Sequence, residues 1–162
     1  MRFFLAKPCR TALCLLAFGV LAACSSGPVK RVSPPSASIQ QLTVGSDGNW
    51  SIDLRLQNFS SMPMRFDTTR INVEVGGQSA GQLQLTPAIS IGPESADVVS
   101  ARLTPAVGAK LVVADALAAR RSVTYVLKGT VDAVPEKAKS RNFEVEATNS
   151  LTPAPGLDGV LR

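Results

Sequence analysis

The stretch WSIDLRLQ, residues 50–57, decides the fold class, because a large apolar side chain stands at every second position. Tryptophan, isoleucine and two leucines alternate with serine, aspartate, arginine and glutamine. Successive side chains of a β-strand point to opposite faces, so the pattern predicts a strand with one face on a core and the other in water. We place Trp50 in that core, although an indole could also stack on a ligand.

The same alternation continues on both sides of this stretch. Residues 71–75 and 82–85 alternate around Gly76-Gly77, and adjacent glycines supply the positive φ angles that a tight hairpin requires. Similar short segments recur from Ile39 to Ala147, separated by turns that contain glycine or proline. The pattern predicts an all-β fold, an antiparallel β-sandwich.

One segment departs from this pattern and predicts a short helix over roughly 105–119. Thr104 is a good N-cap residue, and Pro105 suits the first helical position. Arg120-Arg121 follow where a helix C-terminus favours positive charge. Apolar residues recur at helical spacing, and we expect them to face the sheets. They are Val107, Leu111, Ala114 and Ala118.

The first 23 residues have the layout of a secretory signal peptide. Basic residues precede the apolar run TALCLLAFGVLAA, residues 11–23, which ends in small side chains. A transmembrane anchor is the alternative interpretation. The run falls short of the roughly 20 residues that span a bilayer, and no stop-transfer pattern follows it.

The sequence Leu21-Ala22-Ala23-Cys24 resembles the lipobox of bacterial lipoproteins. The resemblance implies that the thiol of Cys24 receives a diacylglycerol and that the signal is cleaved between Ala23 and Cys24. Ser25 and Ser26 then favour sorting to the periplasmic face of the outer membrane, with the inner membrane as the less favoured site. An ordinary signal with a chance cysteine is the alternative.

The chain therefore divides into four predicted parts. Residues 1–23 form the signal peptide, and residues 24–37 form a lipidated cysteine followed by a Ser- and Pro-rich tether. Residues 38–149 form the β-sandwich domain. Residues 150–162, which contain two prolines and two glycines, are predicted to be a flexible C-terminal tail.

Composition excludes several kinds of chemistry. The chain contains no histidine, and Cys24 is the only cysteine after the signal, so zinc sites of the usual kind and triads that use histidine are excluded. We therefore expect no metal, no cofactor and no catalytic residue.

The charge of the chain depends on cleavage of the signal. Three of the 17 basic residues precede Cys24 and all 12 acidic residues follow it, so the net charge falls from +5 to +2 on cleavage. No basic stripe with interleaved aromatic residues indicates a nucleic-acid partner.

The carboxylates on strands are candidates for acid–base chemistry or for binding a hard cation. Asp53 and Glu74 lie on predicted solvent faces, and Glu144 and Glu146 lie two residues apart on one strand. A solvated strand face is the competing interpretation, and we favour it. Asp67 is expected to form a turn or a surface ion pair with a neighbouring arginine.

Three segments together resemble the water-stress and hypersensitive-response (WHy) domain of the late-embryogenesis-abundant (LEA) group 2 family. They are Ile52-Asp-Leu-Arg-Leu-Gln-Asn58, Ile71-Asn-Val-Glu-Val-Gly-Gly77 and Tyr125-Val-Leu-Lys-Gly129. Asn58 opens the family's Asn-Pro-Asn turn motif, and Phe59-Ser60 stand in place of Pro-Asn. The resemblance implies a sandwich of fibronectin-III or immunoglobulin type, a role in desiccation or stress protection, and no enzymatic activity.

These observations favour a non-catalytic lipoprotein of the envelope. Its role would be to protect against stress or to bind proteins or lipid surfaces. It would contact the membrane through its N-terminal lipid. The alternative is a structural accessory lipoprotein of an envelope or secretion assembly, with a protein partner there.

Overall fold

Residues 50–57 form the half-buried strand that their alternation predicts. The four apolar side chains are buried, whereas Ser51 and Arg55 are exposed. The computed structural model describes residues 30–162, and in this part of the chain two antiparallel sheets pack face to face beside one helix. The predicted all-β sandwich with one short helix is confirmed.

Nine strands and one helix make up the described part of the chain. In order they are β1 (Ser36–Val44), β2 (Trp50–Gln57), β3 (Met64–Val75), β4 (Gln78–Leu85), β5 (Ile89–Ile91), β6 (Ala96–Leu103), α1 (Val107–Ala118), β7 (Val123–Pro135), β8 (Arg141–Leu151) and β9 (Val160–Leu161).

The strands form two sheets that enclose a continuous apolar core. The four-stranded sheet has the order β6-β2-β1-β9, and the five-stranded sheet has the order β4-β3-β7-β8 with β5 paired to β3. Trp50 of the first sheet and Tyr125 of the second are among the largest fully buried side chains. Gly76 and Gly77 make the predicted hairpin turn with φ of 56° and 76°.

The register of the strands gives the sandwich two distinct ends. At one end Gln57 of β2 pairs with Ser36 and with Ala96. We call this the tether end, and its loops are residues 30–35, 58–63, 92–95 and 136–140. At the other end Trp50 pairs with Val44 and Leu103, and α1 follows. This is the helix end.

The helix is shorter than predicted and begins later. Ala106, not Thr104, is the N-cap residue, and no side chain caps the helix. The amide of Ala106 donates to the carbonyl oxygen of Ala80 at 3.0 Å, which holds the backbone extended up to this point. Pro105 is buried before the helix begins.

The predicted buried face of α1 is wrong. Ala109, Val113 and Ala116 are buried, whereas Val107 and Leu111 are 71% and 66% exposed. The sequence VGAKLVVADALA is apolar on nearly every side, so helical spacing does not select a face. The smaller side chains face inward because α1 lies close against the hairpin, where a Cβ at Gly76 would meet Val112 at 2.5 Å.

The C-terminal residues pack on the domain, which corrects the prediction of a flexible tail over 150–162. Leu151 ends β8, and Val160–Leu161 form β9 beside β1. Leu151 and Leu161 are 1% and 0% exposed. Burying these two leucines stabilises a segment whose composition alone predicts a loop.

The domain also begins before residue 38. Ser36 and Ala37 belong to β1, Ala37 is buried, and Val32 packs against the core. The predicted tether 24–37 is therefore part of the fold from residue 31 onward. The predicted signal peptide and the tether's first residues, 24–29, lie outside the described residues.

No helix in residues 30–162 has both the length and the hydropathy that crossing a bilayer requires.

We predict that Leu161→Ala lowers the free energy of unfolding by about 2–4 kcal/mol, because it leaves a cavity in the core. Urea denaturation of the purified chain measures this change. The matched control is Leu157→Ala, since Leu157 is 47% exposed and its truncation should cost about 0.5 kcal/mol or less. Equal losses for the two variants would show that β9 adds nothing to the core.

Candidate functional site

Asn58 is the centre of a hydrogen-bond cluster at the tether end. Its side chain is fully buried just after β2. Nδ2 donates toward the carbonyl oxygens of Met62 at 2.9 Å, Gly92 at 2.9 Å and Ile91 at 3.1 Å. Oδ1 accepts from the amide of Ser60 at 2.8 Å. One side chain thus joins its own loop to the loop that follows β5.

The chemistry of the Asn58 side chain explains why asparagine suits this position after β2. An amide side chain both donates and accepts, which neither aspartate nor leucine does. The backbone amide of Asn58 also donates to the carbonyl oxygen of Ser95 at 2.8 Å. Because every partner is a backbone group, the cluster fixes the paths of these loops.

The same loop holds the incoming chain. The Ser61 amide donates to the Arg31 carbonyl oxygen at 3.0 Å, and the Arg31 amide donates to Ser61 Oγ at 2.8 Å. The Ser33 amide donates to Ser60 Oγ at 3.0 Å. The domain's N-terminal segment is therefore fastened at the tether end, through the loop that Asn58 organises.

Basic side chains lie at the same end of the sandwich as this attachment point. The Arg31 guanidinium lies 3.5 Å from Glu94 and also donates to the Phe59 carbonyl oxygen at 3.2 Å. The amide of Glu136 donates to the Pro63 carbonyl oxygen at 2.9 Å, which brings the loop between β7 and β8 to the same end. Four basic residues here are exposed and form no ion pair within residues 30–162: Lys30, Lys137, Lys139 and Arg141.

Tyr125 links the two sheets near the middle of the sandwich. The amide of Ile39 in β1 donates to the Tyr125 hydroxyl at 3.0 Å, and Tyr125 is 2% exposed. This bond satisfies an amide at the irregularity between Ile39 and Gln41, where the pairing of β1 with β2 shifts.

Gly129 lies in a regularly paired part of β7 and forms no bulge. Gly129 pairs in register with Ile71 and Val145. The reason for glycine is close approach, since a Cβ at this position would lie 2.0 Å from the Arg70 carbonyl oxygen.

The strand carboxylates lie on solvent faces and do not converge. Asp53 accepts a hydrogen bond from Ser100 at 2.6 Å. Glu146 pairs with Lys128 at 2.9 Å, and this hydrogen bond raises the pKa of the lysine. Asp67 pairs with Arg65 at 2.8 Å, which confirms the predicted surface ion pair. Within residues 30–162, no three acidic side chains come together as a metal site.

An open depression of about 400 Å³ lies at the helix end, beside the turn between β1 and β2. Asp47 and Arg102 line it. The backbone amide of Asn49 donates to Asp47 at 2.9 Å and lowers the pKa of that carboxyl, so Asp47 stays ionised and is a poor general base near neutral pH. Trp50 reaches the floor of the depression but is 1% exposed, which confirms its place in the core.

The residues predicted for lipidation, cleavage and sorting lie outside the described residues. These are Ala23, Cys24, Ser25 and Ser26. Among the described residues, the sequence singled out Asn58, which the fold buries just after β2. It missed the basic group at the tether end, because Lys30 and Lys137 are far apart in sequence and only the fold brings their loops to one end.

No family model matches this chain, and no curated protein matches it. Among solved structures it is similar to a protein from Arabidopsis thaliana (10% identity, 82% of this chain, 85% of that chain, TM-score 0.48). It is also similar to a structure described as a putative late embryogenesis abundant (LEA) protein, with 14% identity. That match covers 90% of this chain and 84% of that chain, with a TM-score of 0.48. A protein from Archaeoglobus fulgidus is 14% identical in sequence. The match covers 74% of this chain and 97% of that chain, with a TM-score of 0.39. At identities this low, a likeness concerns the fold alone.

We predict that Asn58→Ala lowers the free energy of unfolding by about 2–4 kcal/mol, because it leaves buried backbone groups without partners. Thermal or urea denaturation measures the loss. Asn72→Ala is the matched control, since Asn72 is exposed and only accepts from Gln82, so the cost should be about 0.5 kcal/mol or less. A near-neutral Asn58→Ala would contradict a role for the amide in joining the loops.

Proposed function

We propose that this chain is exported, lipidated on Cys24 and held on a membrane as a non-catalytic β-sandwich. The observation that carries the proposal is the short path from Cys24 to the fold. The lipobox-like sequence ends at Cys24, and the chain is already bonded to the domain at Arg31. Two or three acyl chains on one residue anchor a protein stably, whereas a single chain binds reversibly.

The surface of the domain supports a role without catalysis. The described residues place no nucleophile beside a base, and their strand carboxylates are separate and solvated. Each resembling motif also has a structural use here, through the buried amide of Asn58, the buried hydroxyl of Tyr125 and the close backbone contact at Gly129. These residues therefore serve the scaffold, and the functional surface lies elsewhere.

By its resemblance to the WHy domain, we propose stress protection of the envelope, against drying or envelope damage. The mechanism is to present a stable sandwich with polar outer faces beside the membrane. Weak contacts of these polar faces with neighbouring proteins or lipid would help those molecules stay hydrated and folded or packed during stress. The outer membrane, on its periplasmic side, is the proposed location because Ser25 and Ser26 follow the cysteine.

We predict that radiolabelled palmitate enters the wild-type protein and not Cys24→Ala, because only a thiol accepts the lipid. Ser26→Ala is the matched control and keeps the label. A strain without the protein should lose viability after drying or envelope stress, and the wild-type gene should restore it where Cys24→Ala does not.

Two outcomes would contradict this function. Equal labelling of wild type and Cys24→Ala would contradict the proposed lipid anchor on Cys24. Unchanged survival of the deletion strain under both stresses would contradict the proposed protective role.

A structural part in an envelope assembly is the second candidate. One observation favours it: Val107 and Leu111 project from α1 into solvent at the helix end, which lies away from the tether. A stoichiometric partner that co-purifies with the wild type and is lost with Leu111→Asp would favour this function over protection.

A further inference from the structure

We propose that the tether end binds the anionic phospholipid surface of the bilayer in which Cys24 is anchored, so that the domain stands on that end. This inference rests on the proposed anchoring. The ligand is the phosphate-bearing headgroup layer, and the binding groups are the exposed basic side chains around the incoming chain, together with Phe59.

The reach of the tether brings this end to the membrane. Residues 24–30 span at most about 25 Å when fully extended. From residue 31 onward the chain is hydrogen-bonded to the domain, through Arg31 and Ser33. The helix end lies one strand length farther away, and the nine residues of β1 extend about 30 Å. An upright domain therefore presents the tether end to the headgroups.

At this end, exposed basic side chains outnumber the acidic ones without an ion pair, of which the β7–β8 loop contributes Glu136. Lys137 and Lys139 lie in the loop between β7 and β8, and Arg141 begins β8. All three side chains are exposed and lack an acidic partner among residues 30–162. Lys30 adds a fourth charge beside the tether. Basic residues near a membrane are attracted to anionic lipid within roughly one Debye length, about 10 Å.

Phe59 adds an apolar contact at the same place. Its side chain is 42% exposed, although its neighbours Asn58 and Ser60 are fully buried. Its carbonyl oxygen accepts a hydrogen bond from the Arg31 guanidinium at 3.2 Å, which places residue 59 beside the attachment point. Aromatic side chains with basic neighbours favour the boundary between headgroups and acyl chains.

The helix end provides a matched comparison. Arg102, Lys110 and Arg120 are also without an ion pair in the described structure, and Leu111 is a more exposed apolar residue than Phe59. The two ends thus differ less in composition than in position and in the arrangement of the loops. The proposal requires the tether end to bind lipid better.

The test uses the mature chain, residues 24–162, with Cys24→Ser so that no acyl chain contributes. Its binding to sedimentable vesicles is measured with phosphatidylglycerol present and with phosphatidylcholine alone. We expect binding only to the anionic vesicles, weakened by salt. The triple variant Lys137→Gln/Lys139→Gln/Arg141→Gln should bind on the order of a hundredfold more weakly, from the typical contribution of each basic residue.

The control triple Arg102→Gln/Lys110→Gln/Arg120→Gln removes the same charge at the helix end and should bind like the parent. Phe59→Ala should weaken binding more than Leu111→Ala. Absent binding, equal binding to both vesicle types, or equal losses in the two triples would overturn the proposal. Because this chain carries no lipid, its failure is independent of palmitate labelling, which alone decides the anchoring.

Discussion

The buried side-chain amide of Asn58 is the interaction on which the tether end depends. It offers both donor and acceptor atoms to backbone groups of two loops, and the Ser60-Ser61 segment that it positions holds the incoming chain at Arg31 and Ser33. A buried polar group is favourable only when it is fully hydrogen-bonded, so the loops have little freedom to move apart. Where the tether leaves the domain is consequently set by the fold.

The strands were predictable because each buries one face, and a strict alternation of apolar and polar residues is the direct sign of such a strand. The helix face was not, since α1 is apolar on nearly every side and the choice of Ala109 and Val113 over Leu111 depends on how closely it approaches the hairpin. The tail was mispredicted for a related reason. Leu161 lies among prolines and glycines, and only the free edge of β1 makes it a strand residue.

The candidate site divides in the same way. A motif of adjacent residues identified Asn58, but the basic group at the tether end joins residue 30 with a loop more than 100 positions later. No local sequence pattern predicts that these residues lie at the same end of the sandwich. In the described residues, the motifs that resemble the WHy domain keep the sandwich together. Under the proposed anchoring, the orientation of the domain at the membrane then decides which surface it presents, and no pocket is needed for that role.

Orientation is therefore the property to measure. The proposed lipidation would consume Cys24, the one cysteine after the predicted signal peptide. Single cysteines introduced at Lys137 or at Lys110 could then be labelled with a fluorophore in the lipidated protein. In vesicles with headgroup-attached quenchers, we expect strong quenching of the label at position 137 and weak quenching at position 110. Equal quenching at the two positions, or the reverse order, would contradict a domain that stands on its tether end.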